Sequence, residues 1–294
     1  MTPLRRCAGV AVLGAVVALP VACGGTPTKP VAPAQAAVDR SLQLPASAPQ
    51  GALLVGRADP RAVVTVEGRR LRMSRDGHFV FGIGRDASGV VQVTLQSAGA
   101  APIVRAVAVT PRDWPIERIV GAPPETINPP ADIAARIARE QARVSTARLR
   151  DDDRDDYAQP FIWPVQGRVS GRFGNQRIYV LPDGSEAPKA PHSGMDIAVP
   201  QGTPVLAPAA GIVTFADPDL YLTGGTVLLD HGHGVSSNFL HLSRIDVHVG
   251  DRVAQGQVIG AVGMTGRATG PHLHWGMNWF DVRVDPLLVL ERGK

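Results

Sequence analysis

Apolar and polar residues alternate with a period of two through much of residues 50–112, as in half-buried strands. Turn signals separate the alternating runs, and Ser74-Arg75-Asp76-Gly77 predicts a hairpin turn. Short strands with a turn about every 8–12 residues are typical of β-sandwiches. We therefore predict a small immunoglobulin-like β-sandwich over residues 49–115, with strands near 53–55, 63–66, 78–81, 90–95 and 104–109.

Helical spacing is clear at only one place. Two prolines precede a helix predicted over residues 129–150, in which Ile133, Ile137 and Val144 fall roughly on one face. We assign residues 116–158 to a helical linker that contains this helix. The spacing leaves open whether the helix packs against the C-terminal part of the chain or lies across a groove in it.

Strand and turn patterns return in the last part of the chain, where no helical period is evident. Strands are predicted near 164–171, 211–215, 226–230, 235–241, 258–260 and 272–277. The abundance of glycine (32) and proline (26) and the scarcity of aromatic residues also favour short strands and turns. Residues 159–294 are therefore expected to form an antiparallel β domain, and the whole chain to be mostly β.

The N-terminal residues are typical of an exported protein. Arg5 and Arg6 precede an apolar run at residues 8–19, which is short for a membrane span, and small residues follow. This order of charged, apolar and small residues predicts a signal peptide over residues 1–22.

A cysteine follows the predicted signal peptide. Pro20-Val21-Ala22-Cys23 resembles a bacterial lipobox, in which the cysteine is lipidated, although proline stands where leucine is usual. Residues 23–48 contain few apolar side chains that could pack into a core, so we predict that they form a flexible linker. We expect a cell-envelope, periplasmic protein tethered by lipid at Cys23. Ordinary signal cleavage with secretion, and an uncleaved anchor, remain alternatives.

Composition narrows the range of functions. The formal net charge of +4 over 294 residues is too small to indicate a nucleic-acid partner. The two cysteines are Cys7 and Cys23, so no disulfide, thiol nucleophile or cysteine metal ligand is available downstream.

Chemistry concentrates in three segments of the C-terminal β domain. His272 and His274 are two apart on a predicted strand and so project from one face. His192 and Asp196 supply a further imidazole and a carboxylate, with a glycine between them that permits a tight turn. His241 is a third independent candidate. Two histidines and one aspartate suit a catalytic zinc, which uses three protein ligands and keeps one position open.

Three ordered motifs resemble those of the M23 zinc metallopeptidases of the lysostaphin and LytM type. They are His192-x-Gly-x-Asp196, His241-Leu242 and a run that ends in Thr-Gly-Pro-His272-Leu-His274. The resemblance covers about residues 161–290. It implies an antiparallel metallopeptidase sheet of LytM type, related to the half-barrel of lipoyl and biotinyl domains.

The resemblance also implies roles for these residues. His192, Asp196 and His274 would be the ligands of Zn²⁺, and His241 and His272 would act as general base and transition-state stabiliser. The family hydrolyses peptide bonds of bacterial peptidoglycan, by attack of a zinc-activated water on a polarised carbonyl. The expected partner is therefore peptidoglycan, together with a protein partner for the N-terminal β module.

Two features depart from the family or stay open. Phe239 stands where many members have tyrosine, and Tyr179 is a candidate for the missing hydroxyl. Arg177 is predicted either to bind a substrate carboxylate or to form a structural ion pair. Structural roles, and not metal binding, are expected for His231 and His233, which lie in a glycine-rich turn.

Alternative functions are judged by the ligand set. Degenerate relatives that lack zinc ligands are non-catalytic regulators that activate cell-wall amidases, whereas this chain has the complete set, which favours an enzyme. The segment 250–266 resembles biotinyl and lipoyl carrier domains, but it contains no lysine to carry the cofactor.

Overall fold

A computed structural model describes residues 41–292 of the chain. The predicted signal peptide, Cys23 and most of the predicted linker lie outside the described residues. The described residues belong to one compact unit. No helix among them is both long enough and apolar enough to cross a lipid bilayer.

The alternating N-terminal segments form two sheets. A three-stranded sheet has the order β1-β3-β6 and a five-stranded sheet the order β2-β8-β7-β4-β5, in which β2 is parallel to β8. The strands are β1 Leu42–Gln43, β2 Ser47–Pro49, β3 Leu53–Ala58, β4 Val63–Val66, β5 Arg69–Arg70, β6 His78–Gly82, β7 Val90–Gln96 and β8 Ile103–Thr110.

Strand β1 and most of strand β2 lie within the segment predicted to be a flexible linker. Leu42 and Ala48 are buried, and both belong to the main hydrophobic core. Their apolar side chains therefore dock these short strands, and the structured part of the chain begins earlier than residue 49. The predicted domain limits as a whole stay a prediction.

The segment after the N-terminal sheets begins with a strand, although helical linker was predicted there. Strand β9 (Ile116–Val120) is parallel to β11 (Gln176–Val180), which in turn pairs with β12 (Glu186–Pro188). The pairing joins residues about sixty positions apart, and the exposed and half-buried positions of β9 alternate. A short helix, α1 (Pro124–Ile127), then precedes the long helix α2 (Ala131–Ala147).

The C-terminal part forms a ten-stranded sheet with antiparallel pairing. Its main path is β10-β13-β20-β17-β16-β15-β18; β19 joins β14 to β17, and β21 pairs with β20. The bounds are β10 Arg168–Gly171, β13 Met195–Ala198, β14 Pro204–Leu206, β15 Gly211–Leu220, β16 Gly224–Asp230, β17 Val235–Ile245, β18 Arg252–Val253, β19 Val258–Val262, β20 Leu273–Trp279 and β21 Val282–Val284. A last helix is α3 (Pro286–Glu291), and a single 3₁₀ turn is Asp156–Ala158. The predicted mostly β fold with a large antiparallel sheet is confirmed.

The central strands of this sheet are covered on both faces. Every residue of β16 and β20 is buried, so these strands lack the alternation of a half-exposed strand. Gly82 of β6 packs against Trp279 and Val284 on one side. Val144 and Ala147 of α2 pack against a second apolar cluster, formed by Phe215, Leu220 and Leu228. The helix therefore packs against the C-terminal sheet.

Polar contacts join the N-terminal sheets to the C-terminal sheet. Arg112 donates to the buried carboxylate of Asp285 at 2.8 Å, and the same carboxylate caps α3 by accepting from the backbone N–H of Leu287. The hydrophobic core is likewise continuous between the two parts. This packing holds the strands that carry the candidate site in a fixed frame.

Candidate metal centre

Three neighbouring strands bring the candidate residues together. Asp196 on β13 is directly opposite His274 on β20, and Leu240 on β17 is opposite His274 on the other side. His241 follows Leu240 with a positive φ of 63°, so the backbone turns locally at this residue. His192 lies in the loop before β13. Sheet register thus places groups distant in sequence around one point.

The three predicted ligands form a tight group. His192 Nε2 is 3.0 Å from His274 Nδ1 and 3.1 Å from Asp196 Oδ1, and His274 Nδ1 is 2.8 Å from Asp196 Oδ1. These are the only three described side chains of ligand type that meet closely enough to share one ion. All three are buried, so the group is shielded from bulk water.

Backbone carbonyls select the tautomer of three histidines. His192 Nδ1 donates to the carbonyl of Arg172 at 3.0 Å, so its Nε2 presents a lone pair to Asp196 and His274. His241 Nδ1 donates to the Thr265 carbonyl at 2.7 Å, and His272 Nδ1 to the Gly270 carbonyl at 2.8 Å. Each of these rings therefore keeps its Nε2 free to accept a proton or bind a cation.

Electrostatics set the protonation states that a metal requires. Burial opposes the charge of Asp196, but His192 and His274 outweigh burial and hold the pKa of this carboxyl well below its usual value. Burial lowers the pKa of His274 to about 3. The group is therefore an anionic carboxylate with a neutral imidazole, which is the state that binds divalent metal.

Asp196 is oriented by an arginine that is itself paired. Arg177 on β11 donates to Asp196 Oδ2, and its Nε contacts Glu117 Oε2 of β9 at 3.5 Å. The parallel pairing of β9 with β11 positions this Glu117–Arg177–Asp196 chain. Of the two roles predicted for Arg177, the structure shows the ion pair.

The other two histidines lie side by side next to the ligand group. The ring centroids of His241 and His272 are 4.8 Å apart, and His272 Nε2 is 3.8 Å from Asp196 Oδ1. Burial, and then the neighbouring His272, lower the pKa of His241 to about 4. His241 is thus a neutral imidazole at neutral pH, with a free Nε2 suited to taking a proton.

Two glycines allow the backbone to approach the site. A Cβ on Gly194 would lie 2.5 Å from the Trp275 carbonyl oxygen and 2.8 Å from His274 Nε2. A Cβ on Gly171 would lie 2.6 Å from Asp196 Oδ2. Gly194 lies at a bend of the backbone but does not have a positive φ, so access to left-handed backbone is not what requires glycine at this position. Glycine is needed here because β20 passes too close for any side chain.

The donor set fits zinc. Tetrahedral zinc with bonds of about 2.0–2.1 Å keeps its ligand atoms about 3.3 Å apart. The three observed separations approach this value, and imidazole nitrogen with carboxylate oxygen is a donor set that zinc accepts. His192, Asp196 and His274 would therefore hold the ion, and the side of His241 and His272 remains open to a substrate.

Comparison with known proteins decides the family. The family model described as Peptidase family M23 matches residues 190–286. The crystal structure of a candidate M23 peptidase from Pseudomonas aeruginosa is similar over 82% of this chain and 94% of that chain, with 32% identity and a TM-score of 0.62. This chain belongs to peptidase family M23. The resemblance seen in the sequence motifs is thereby confirmed.

Curated relatives of this M23 chain match over shorter segments. The peptidoglycan DD-endopeptidase ShyA of Vibrio cholerae is 41% identical over 115 residues, which are 38% of this chain and 26% of ShyA. The cell division protein DipM of Caulobacter vibrioides is 31% identical over 172 residues, which are 56% of this chain and 26% of DipM. The match thus spans about a quarter of each relative.

Tyr179 and Phe239, the two residues noted for the departure from the family pattern, lie in different surroundings. Tyr179 lies on β11 and lines a cavity of about 340 Å³ with Asp196, His241 and His272, so it is close to the ligand group. Phe239 is fully buried and contributes to the core.

Sequence reasoning missed several residues of this site. Thr265, whose carbonyl orients His241, lies in Gly263-Met264-Thr265-Gly266, just before the Thr-Gly-Pro-His272-Leu-His274 motif, so this part of the sequence was a usable signal. Glu117 comes from the segment assigned to linker, and Arg267 donates to the carbonyl of Thr126 in α1 at 3.1 Å. The segment from β9 to α1 therefore borders the cavity beside the metal centre, which no local pattern indicated.

Proposed function

We propose that this chain is a zinc-dependent endopeptidase that hydrolyses peptide cross-links of bacterial peptidoglycan. One observation carries the proposal: His192 Nε2, Asp196 Oδ1 and His274 Nδ1 converge within 3.1 Å of one another, beside two histidines with free Nε2 atoms. Peptidoglycan as substrate is supported by the similarity to ShyA, which is named a peptidoglycan DD-endopeptidase.

When bound, zinc would supply a Lewis acid that polarises the scissile carbonyl and acidifies a water. The residues of the chain orient the ligands of this ion. The Arg172 carbonyl holds the His192 ring with Nε2 facing the centre, and Arg177 holds Asp196 by its Oδ2. These contacts fix the ligand positions before substrate arrives, so little reorganisation accompanies the reaction.

His241 is assigned the role of proton acceptor in this proposal. Its Nδ1–H is engaged by the Thr265 carbonyl, so a proton can be taken only at Nε2, and the lowered pKa keeps that atom unprotonated at neutral pH. His272 stands beside it with the same tautomer. Once protonated, either ring can donate to the oxygen or amine that develops charge as the peptide bond breaks.

The second candidate is a non-catalytic regulator that activates cell-wall amidases. A relative named as a cell division protein, DipM, is the observation in its favour. The complete set of two histidines, one aspartate and two further histidines argues for the enzyme.

We further propose a cell-envelope location, with a lipid at Cys23 as the anchor, on the basis of the N-terminal pattern alone.

Digestion of defined muropeptides tests the proposal. The full mature chain loaded with zinc should release peptides whose masses identify the broken bond, and a chelator should abolish release. Zinc-loaded protein that cuts no muropeptide, yet stimulates a purified amidase, would replace the enzyme by the regulator.

A further inference from the structure

A second cavity, of about 260 Å³, lies between α2 and the large sheet. Its walls include Ser193, Leu222, Thr223 and Leu240, and the same four residues line the space around His192, His241 and His274. The cavity therefore opens off the metal centre. It is a groove that a substrate chain could enter while one of its peptide bonds lies at the metal.

Two arginines from distant elements line this cavity. Arg148 is the C-cap residue of α2, and Arg283 lies on β21. Arg148 Nε is shielded from solvent and has no hydrogen-bond acceptor among residues 41–292. Arg283 keeps part of its side chain open to solvent. Both guanidinium groups thus have donors to offer to a ligand.

The charges nearby do not neutralise this pair. Burial and the facing Arg283 lower the pKa of Arg148 to about 10, and burial lowers that of Arg283. Neither forms an ion pair with a carboxylate of the described chain. The one acidic residue of the cavity, Glu140, is already engaged, because its two oxygens accept from Arg136 Nε at 2.6 Å and from the Tyr221 backbone N–H at 2.9 Å. The cavity therefore carries unbalanced positive charge.

We propose that Arg148 and Arg283 form a subsite for a free carboxylate of the peptide substrate. Guanidinium groups bind carboxylates through paired charge-assisted hydrogen bonds, so a peptide that lies in this groove with a free carboxylate would be held by the two arginines. Thr226, Asn238 and Ser193 add polar groups to the walls of the same cavity. This inference rests on the proposed function and adds the feature by which the substrate would be selected.

Paired substrates test the subsite. Cleavage of a cross-linked dimer of stem peptides is compared with cleavage of the same dimer after its free carboxylates are converted to amides. The zinc-loaded wild type should favour the free acid by about 10- to 100-fold in kcat/KM. Arg148→Gln and Arg283→Gln should each reduce this preference, mainly through KM, and the double variant should lose it. Arg→Lys at either position should retain part of it.

Arg139→Gln is the matched control, since Arg139 is an exposed residue of the same helix and does not line the cavity. It should keep the full preference. A wild type that cuts both dimers equally well, or a double variant that keeps the preference, would overturn the subsite.

A binding measurement separates this inference from the proposed function. Titration calorimetry of the zinc-free protein with the acid and amide dimers does not depend on catalysis. The acid should bind more tightly to wild type, and equally weakly to the double variant. Selective binding without cleavage would leave the subsite standing while the endopeptidase proposal fails. Equal binding of both dimers to the wild type would refute the subsite even if both are cut.

Discussion

Two groups of histidines occupy the same large sheet and show what makes a site. The metal-centre cluster comprises His192, His241, His272 and His274 with Asp196. The turn cluster comprises His231 and His233, in the connection between β16 and β17. Strand β17 serves both, because Ser237 contacts the turn cluster and His241 belongs to the metal-centre cluster.

In the turn cluster, the imidazole nitrogens are either hydrogen-bonded or remote from other ligand atoms. His231 donates from Nδ1 to the Ala210 carbonyl at 2.7 Å and accepts at Nε2 from Ser237 at 2.8 Å, so both nitrogens are occupied. His233 packs its ring against Tyr157, and its nearest acidic oxygen, on exposed Asp153, is 3.9 Å away. Burial lowers the pKa of both histidines.

The metal-centre cluster differs because its lone pairs point towards one another. Apart from half-buried His272, the residues of both clusters are buried, so burial alone does not identify a site. Three of the metal-centre histidines use a backbone carbonyl to fix one nitrogen and leave the other free, next to a carboxylate. The two regions therefore differ in whether their potential ligand atoms are free and close together, and not in how many histidines they contain.

The largest effect should follow from removing the shared carboxylate. Asp196→Ala leaves two ligands and an unpaired Arg177, so we expect cleavage of cross-linked muropeptides to fall by more than the about 10²- to 10⁴-fold typical of a lost general base. Rates are measured by chromatography of the products. His231→Gln in the turn cluster should keep the wild-type rate at neutral pH, and an equal loss in both variants would contradict the distinction.

A smaller loss is expected when the proton acceptor is removed but the ligands stay. His241→Ala should lower kcat by about 10²- to 10⁴-fold, the range typical of general-base catalysis. Zinc content, measured by mass spectrometry of the native protein, should remain that of the wild type. Loss of the metal in this variant would assign His241 to the ligand group instead.

A milder change is expected at the arginine behind Asp196. Arg177→Gln keeps the ligands but removes the charge that orients Asp196 Oδ2, so zinc affinity should fall by about 10- to 100-fold. Competition with a chromogenic chelator gives the affinity. Arg118→Gln is a control, since Arg118 is on β9 and pairs with exposed Glu186; it should bind zinc as the wild type does.

The turn cluster should affect the pH dependence of the free energy of unfolding and not the rate of catalysis. The pKa of His231 is lowered by burial to about 4, below the ordinary value of 6.5. The unfolded chain therefore takes up this proton first as pH falls, so the contribution is complete above pH 6.5 and is lost towards pH 4. The free energy of unfolding should decrease by about 3 kcal/mol over this window because of His231.

Urea unfolding of the zinc-free protein from pH 7.5 to 4 measures this contribution. His231→Gln supplies the reference, because glutamine can replace both hydrogen bonds without titrating. The difference between wild type and variant should shrink as the pH falls. A difference that is independent of pH would mean that His231 is not held neutral by the fold.

The sequence was informative where the signal is local. His-x-His on a strand and His-x-Gly-x-Asp in a loop each retain their meaning without the rest of the chain, and their residues meet in the structure. The pairing of β9 with β11 joins segments sixty residues apart, and nothing in either segment specifies the partner. Likewise, Arg148 and Arg283 share a cavity only because α2 packs on the sheet. Features that arise from packing of distant elements could not be predicted from pattern alone.

Zinc titration of the metal-free protein tests the central claim most directly. Calorimetry of wild type, His274→Ala and His231→Gln compares the two clusters under the same conditions. The account predicts one tight site per chain in the wild type and in His231→Gln, and loss of that site in His274→Ala. Tight binding that survives His274→Ala, or that disappears with His231→Gln, would contradict it.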